Sequence, residues 1–187
     1  GNNPNLLLVQ ADIYSMPFSY DFFHRAFCFG VLQHTPNPQE GFMSIIRYIK
    51  PGGKVASDVY CKSTRRFLHI KTWLRSFTTG MQPERLYEFV KNYVDAMWPM
   101  VKIMRKTRIG QKFISRFVAY RFDYMHGAED FLLKEWAYLD TFDWLSPSYD
   151  NPQTLKTFRL WHERAGLTNI EVHRGYNGLE GRGSKGK

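Results

Sequence analysis

Two short apolar runs separated by a helix-sized segment constrain this chain most. Residues 25–32, RAFCFGVL, and 54–60, KVASDVY, each read as a strand by length and by their β-branched and aromatic content. Between them Asn37, Pro38 and Glu40 form a helix start. Asn caps, Pro takes the first helical position, and Glu lies at the third. Phe42, Ile45, Ile46 and Ile49 then recur at spacings of three and four, which gives the helix one apolar face to about Lys50. Pro51-Gly52-Gly53 is read as the turn that ends it. Strand, helix and strand joined by short loops build a parallel pair, because parallel strands need a crossover of that length.

The same grammar recurs at both ends. Residues 6–13, LLLVQADI, read as a strand buried on both faces. Asn151-Pro152 is expected to open a second helix with Leu155, Phe158, Trp161 and His162 on one face, stopped by Gly166. TNIEVHR and GLEGRG follow as two strands, expected to form a hairpin at the sheet edge, and GSKGK is a polar tail. These readings make the fold class α/β.

Residues 61–121 differ. Fourteen Lys or Arg stand there against Glu84, Glu88 and Asp95, leaving +11, more than the +9 of all 187 residues. Leu86, Phe89, Val90, Tyr93, Val94 and Met97 recur at helical spacing. Two to four amphipathic helices are expected, with Pro83 starting one and Gly110 separating two. The domain reading is therefore a core over 1–60, a helical insertion over 61–137 and the rest of the core over 138–187.

The positive charge points to an anionic partner: nucleic acid, anionic lipid or a phosphorylated small molecule. It is equally compatible with a soluble protein that is simply basic. Cys28 and Cys61 lie in or beside expected core strands and read as buried free thiols of a reducing compartment. No stretch approaches the roughly 20 apolar residues of a membrane span. The start, GNNPNLLLVQ, has neither the basic region nor the cleavage site of a signal peptide, so the cytoplasm is the expected location. No zinc spacing occurs, and no metal site is expected.

In an open parallel sheet, ligands bind beyond the carboxyl ends of the strands. Here those ends place Asp12, Gly30, Gln33, His34, Asp58 and Tyr60 on one rim. Gly30 lets backbone approach a ligand closely, and His34 can donate, accept or take a proton near neutral pH. Each has a structural counterpart. Asp12 either accepts from an exocyclic amine or caps a turn. His34 either faces a ligand or bonds a loop carbonyl. Asp58 either serves the rim or pairs with a nearby cation.

QADIYSMPF, FGVLQHTPNP and IIRYIKPGGKV, in that order and spacing, resemble the middle of a class I S-adenosylmethionine-dependent methyltransferase of the small-molecule group. TFDWLSPSYDNPQTLKTFRLWHERAGLTNIEV is similar to the tail of such enzymes, and the matching parts cover roughly 100 residues. The resemblance implies a Rossmann-like, mostly parallel sheet with helices on both faces and a helical insertion. It also implies S-adenosylmethionine as cofactor and a small-molecule acceptor, and a lipid-linked or sugar-phosphate acceptor would reconcile this with the basic insertion. Asp12 matches the acid that contacts the adenine amine, and Ile13 lines the adenine. Phe29 and Gly30 match the end of the fourth family strand, against the methionine part of the cofactor. Gln33 and His34 match the loop facing sulfonium and acceptor, with His34 the candidate base. Tyr60 and Tyr149 are expected on the acceptor side.

Two departures stand out. Phe23-His24 replaces the Phe-Asp common at the entry to the fourth strand, and no glycine-rich first motif is present. The resemblance implies the sheet order 3-2-1-4-5-7-6 with strands one and two between three and four. Residues 6–13 would then find no neighbour and the fourth strand would have a bare edge. The chain is therefore expected to be a fragment or part of a larger polypeptide, completed by a preceding segment or partner chain and inactive by itself. The helical insertion sits where a substrate lid belongs. Its Trp73, Phe77, Tyr87, Phe89, Tyr93 and Trp98 suit an apolar or ring-shaped acceptor, or else form its own small core. The competing reading is a non-catalytic basic module for an anionic membrane surface or nucleic acid. Nucleic acid is the weaker partner, since the aromatic signatures of RNA-binding sheets are missing.

Overall fold

The structure, a computed structural model, describes residues 4–63, 68–120, 127–176 and 178–187. The chain divides into two compact units, residues 1–62 with 149–187, and residues 63–148.

The first unit is α/β. Its strands are β1 (Phe23–Cys28), β2 (Ile49–Val59), β3 (Leu167–Gly175) and β4 (Gly178–Lys185), in the order β1-β2-β4-β3. β1 and β2 pair in parallel, while β4 is antiparallel to both neighbours. Three strands thus point one way and β4 opposes them, so the sheet is mixed rather than wholly parallel. The order is the one the resemblance implies for its last four strands.

Between β1 and β2 lies α1 (Pro38–Arg47), capped as its residues demand. The Asn37 side chain accepts from the Glu40 N–H at 3.2 Å, and its amide reaches back to the Glu40 carboxylate at 3.3 Å. Phe42, Ile45, Ile46 and Ile49 are all buried. Pro51-Gly52-Gly53 is not a turn outside the sheet but a bulge within β2. Between the pairs Phe23–Ile49 and Arg25–Lys54, β1 advances two residues and β2 five. Gly52 has φ +78°, and a Cβ on Gly53 would come 2.8 Å from the His24 carbonyl oxygen. Only glycine satisfies both.

α6 (Leu155–Arg164) starts later than Asn151-Pro152 suggests. Thr154 caps it, accepting from the Thr157 N–H at 3.1 Å, because Asn151 is bonded elsewhere. Gly166, at φ +67°, ends it as expected. Phe158, Trp161 and His162 are buried, while Leu155 is exposed. The first three residues of the expected polar tail, 183–185, are in fact strand. Ser184 pairs with Lys54, and the Lys185 ammonium holds the Asp21 carboxylate at 2.7 Å.

The core of this unit closes around Phe42, whose ring lies 4.6 Å from His162, 6.3 Å from Trp161 and 6.4 Å from Phe158. Contact between α1 and α6 requires both on one face of the sheet. The residues beneath them are small: Ser57 and Gly181 sit opposite each other in the β2–β4 ladder. A Cβ on Gly181 would fall 2.6 Å from the His162 ring and 2.9 Å from Phe158. Burial holds His162 below its ordinary pKa and hence neutral, with Nδ1 donating to the Phe158 carbonyl at 2.9 Å.

The stretch expected as a buried strand, residues 6–13, takes no strand conformation among the described residues, apart from a bridge between Asp12 and Ser15. Leu6, Leu7 and Leu8 are 61%, 78% and 83% exposed. β1 is accordingly an edge strand, with Phe27 exposed on it.

The second unit is helical: α2 (Ile70–Thr78), α3 (Pro83–Met104), α4 (Arg108–Ile114) and α5 (Asp130–Leu145). It extends past residue 137 because α5 is continuous there. Leu133, Ala137, Tyr138 and Leu145 of α5 join Leu86, Val90, Val94, Trp98 and Val101 of α3 in a second core. Pro83 opens α3 as expected, but Gly110 lies inside α4. Its role is close approach: a Cβ there would collide with the Met104 carbonyl. The separator is residues 105–107, where Thr107 caps α4 by accepting from the Gly110 N–H at 3.0 Å. Arg65, Arg66 and Arg121, three of the fourteen basic positions, lie outside the described residues. No helix among the described residues is long and apolar enough to cross a membrane.

Two carboxylates tie α3 to α5. Asp95 accepts from the Tyr138 hydroxyl and pairs with Lys134 at 2.8 Å. Asp130 accepts from the Trp98 indole at 3.0 Å and pairs with Arg105 at 3.0 Å. The Lys134 hydrogen bond, with that of Tyr138, holds the Asp95 carboxyl below the usual range; the Trp98 indole does the same for Asp130, with Arg105 assisting.

Two predictions follow from this packing. Gly181→Ala overpacks α6 against the sheet and lowers stability by about 1–3 kcal/mol, read from denaturant midpoints. A carboxyl held low adds stability above its ordinary pKa and loses it as pH falls through the lowered value. Thermal unfolding at stepped acid pH will therefore show a declining Tm, and Asp95→Asn will flatten that decline.

Candidate functional site

The rim is built where β1 and β2 end side by side. β1 passes through Phe29 to Gly30, which turns at φ +73°, a conformation glycine adopts without strain. The Gly30 N–H donates to Asp58 Oδ1 at 2.6 Å, joining the two strand ends. Asp58 is buried and holds the Gly30 turn through this bond. A Cβ built on Gly30 would meet nothing within 4 Å, so its backbone faces open space.

After Gly30 the chain makes one 3-10 turn, Leu32–His34, before Asn37 starts α1. Leu32 anchors that turn in the core, and Gln33 is fully buried beside it. Neither Oε1 nor Nε2 of Gln33 has a hydrogen-bond partner among the described residues. A buried amide without partners is uncommon in folded proteins.

His34 is half-exposed. Its ring meets Tyr60 edge to face at 5.4 Å, and its Nδ1 lies 3.0 Å from the Tyr149 carbonyl. A carbonyl only accepts, so Nδ1 carries the proton and the neutral ring keeps its lone pair on Nε2. The loop-carbonyl role and the proton-accepting role are thus compatible in one ring.

The segment 149–153 fastens this arrangement, which sequence reasoning missed. Besides Tyr149, the Asn151 N–H donates to the Gln33 carbonyl at 2.8 Å and the Asn151 amide to the Thr35 carbonyl at 2.8 Å. The Gln153 N–H donates to the Tyr60 carbonyl at 2.8 Å, and the Lys62 N–H to the Gln153 carbonyl at 2.8 Å. Asn-Pro was read as a helix start, and nothing local distinguishes an Asn that caps a helix from one that bonds a distant loop. The Tyr149 side chain is exposed.

Asp12 and Ile13 lie apart from this cluster. Asp12 Oδ1 accepts from the Tyr14 N–H at 2.9 Å and the Asp12 carbonyl from the Ser15 N–H at 3.0 Å, the turn-capping alternative. Tyr14 then pins the turn to the start of α1, its hydroxyl accepting from the Asn37 N–H at 2.9 Å. Ile13 packs against the first core. Phe29 is half-exposed and stacks on Phe27 with centroids 5.8 Å apart. The structure thus brings together Gly30, Gln33, His34 and Tyr60 with the Tyr149 backbone. Among the described residues, no hydrogen bond or ion pair joins Asp12 to them.

The chemistry open to the rim is limited. Cys28, at the end of β1, has its thiol pushed up to about 11 by burial and the Asp58 carboxylate, so it is no nucleophile. No group of three or more His, Cys, Asp or Glu side chains among the described residues could hold a metal ion. What remains is an open backbone, a buried amide and an imidazole with a free lone pair. Asp58→Ala strands the Gly30 N–H and is expected to cost about 1–3 kcal/mol in chemical denaturation. Asp58→Asn, which keeps an acceptor oxygen, should recover most of that loss.

Comparison with known proteins bears on the segment carrying β1, α1 and most of β2. Residues 1–57 match a family described as a methyltransferase domain. No curated protein gives a significant match. Solved structures similar to the chain include human N-acetylserotonin methyltransferase in complex with S-adenosylmethionine, at 9% identity and a TM-score of 0.46. That similarity covers 100% of this chain and 36% of the other. An S-adenosylmethionine-dependent methyltransferase from Thermotoga maritima is 10% identical with a TM-score of 0.46, over 96% of this chain and 64% of that one. A complex between the Haloferax volcanii Trm112 methyltransferase activator and a methyltransferase is similar at 10% identity and a TM-score of 0.46, covering 100% and 65%. The chain spans less than two thirds of the length of each of these.

Proposed function

We propose that this chain, whose residues 1–57 carry methyltransferase-domain sequence, takes part in S-adenosylmethionine-dependent methyl transfer to a small-molecule acceptor. The observation that carries the reading is the rim itself: Gly30 with open backbone, tied to Asp58, beside the buried and unpartnered Gln33 amide. These residues fit the methionine side of such a cofactor. Backbone unobstructed by a side chain accommodates close approach, and an amide with both a donor and an acceptor to offer suits an amino acid head group. Bound there, the cofactor supplies an electrophilic methyl group on a sulfonium centre.

The protein's own residues do the rest. Gly30 and Gln33 hold and orient, while Asp58 keeps the Gly30 turn in one place. His34, with Nδ1 donating to the Tyr149 carbonyl, presents Nε2 as the atom that takes a proton from the acceptor. The Tyr60 ring, packed edge to face on His34, keeps that imidazole from turning and offers an apolar wall on the acceptor side. Asp12 and Ile13 are the adenine-side candidates, Asp12 through whichever carboxylate electrons its turn leaves uncommitted. The helical unit is the candidate acceptor lid. Of the six aromatic residues singled out in it above, Trp98 is buried and Tyr87, Phe89 and Tyr93 pack partly buried against its own core, which leaves Trp73 and Phe77 exposed. Activity at full strength is proposed to need sequence beyond these 187 residues, since no glycine-rich first motif is present here.

Titration calorimetry with S-adenosylhomocysteine tests the reading, on this chain and on any longer natural polypeptide containing it. Binding is expected, and Gly30→Val should weaken it tenfold or more, because a β-branched residue is strained at φ +73° and fills the approach. His34→Gln should leave that affinity within twofold while lowering turnover at neutral pH. Absence of binding by the longer polypeptide would overturn the proposal.

A further inference from the structure

We infer that the helical unit carries an interfacial surface for an anionic lipid bilayer, formed by the outward faces of α2 and α4. This inference stands on the second unit and is independent of the methyl-transfer reading.

α4 shows the pattern most clearly. Ile109, Lys112 and Phe113 recur at spacings of three and four and so share one side, opposite the buried Gly110 and Ile114, and Arg116 follows in the turn just after the helix. That side faces solvent: Ile109 is 84% and Phe113 42% exposed, and both cations are exposed. On α2, Trp73 and Phe77 stand four residues apart and are 63% and 76% exposed. The two helices meet end to end. The Ile70 N–H at the start of α2 donates to the Arg116 carbonyl at 2.9 Å. A shallow cleft of about 280 Å³, lined by Leu68, His69, Lys112, Ser115 and Arg116, lies at this junction.

Large apolar side chains left in water within a basic surface need an occupant that rewards both. Among the described residues no carboxylate forms an ion pair with Lys112 or Arg116. An anionic bilayer answers both halves: its headgroups take the cations, and its acyl boundary takes Trp, Phe and Ile. Tryptophan in particular settles at that boundary. A nucleic acid fits less well, because stacking on bases uses flat rings and gives exposed isoleucine nothing. The charge also selects among the apolar faces of this unit. α5 exposes Trp136 and Leu139, but it places Glu135 and Asp143 on its surface and offers an anionic bilayer no attraction.

The test is co-sedimentation of the chain with vesicles of phosphatidylserine and phosphatidylcholine, against vesicles of phosphatidylcholine only. Binding to the mixed vesicles is expected, weakening as salt is raised through the physiological range. Replacing two cations, Lys112→Ala with Arg116→Ala, should reduce partitioning on the order of 25-fold. Trp73→Ala with Phe77→Ala should reduce it at least as much. All four side chains are exposed, so unchanged circular dichroism and Tm are expected to show that each variant is folded. In the unsubstituted protein, tryptophan emission should shift to the blue on mixed vesicles and be quenched by brominated lipid. Three results would each overturn the inference: equal binding to both vesicle types, no binding to either, or binding that survives Trp73→Ala with Phe77→Ala while duplex DNA competes it away.

Discussion

The sheet unit depends on how closely one helix can approach one strand. Phe42 of α1 reaches Phe158, Trp161 and His162 of α6 only because the sheet beneath is stripped to Gly181 and Ser57. A side chain on Gly181 would lift α6 and open the cavity those four rings fill. The burial this achieves also explains the neutral His162, whose Nδ1 is held by the Phe158 carbonyl while the rest of the ring packs against Gly181. Once α6 is seated, the hairpin after it has its place. β4 slots between β2 and β3, and the segment before α6 is drawn across the carboxyl end of β2.

That last consequence connects packing with chemistry. Residues 149–153 are fastened by five hydrogen bonds to the 3-10 turn with Thr35 and to the chain just after β2. The His34 tautomer, the position of Tyr60 and the burial of Gln33 all follow from that fastening. The rim is therefore made by two stretches more than 100 residues apart, held together because α6 packs on the same face as α1.

How much of this was legible in the sequence depended on the range of the interactions. The α1 cap, its apolar face, the parallel strand pair, Pro83 at the start of α3 and Gly166 after α6 are local matters, and neighbouring residues decide them. Readings failed where a distant partner intervened. LLLVQADI has the composition of a buried strand, yet a strand exists only by pairing, and residues 6–11 have no partner among the described residues. Pro51-Gly52-Gly53 looked like a turn and is a bulge, since β1 runs alongside it. GSKGK looked like a tail, yet its first three residues are strand, since β2 and β3 pair with them. Gly110 looked like a break and is a contact, since Met104 crosses there. The rim residues Gly30, Gln33, His34 and Tyr60 were identified from the ends of strands, but the loop that secures them was not.

By itself the sequence determined the α/β class, the crossover that forces β1 and β2 to be parallel, the separate basic helical segment and the candidate rim. All of these rest on periodicity, capping and turn chemistry within about a dozen residues. The tertiary structure decided which strands find partners, which small residues are contacts rather than breaks, and how far the helical unit extends. It also decided which aromatic residues are core and which are left in water. Those outcomes turn on free energies shared between residues far apart in the chain, and no local pattern encodes them.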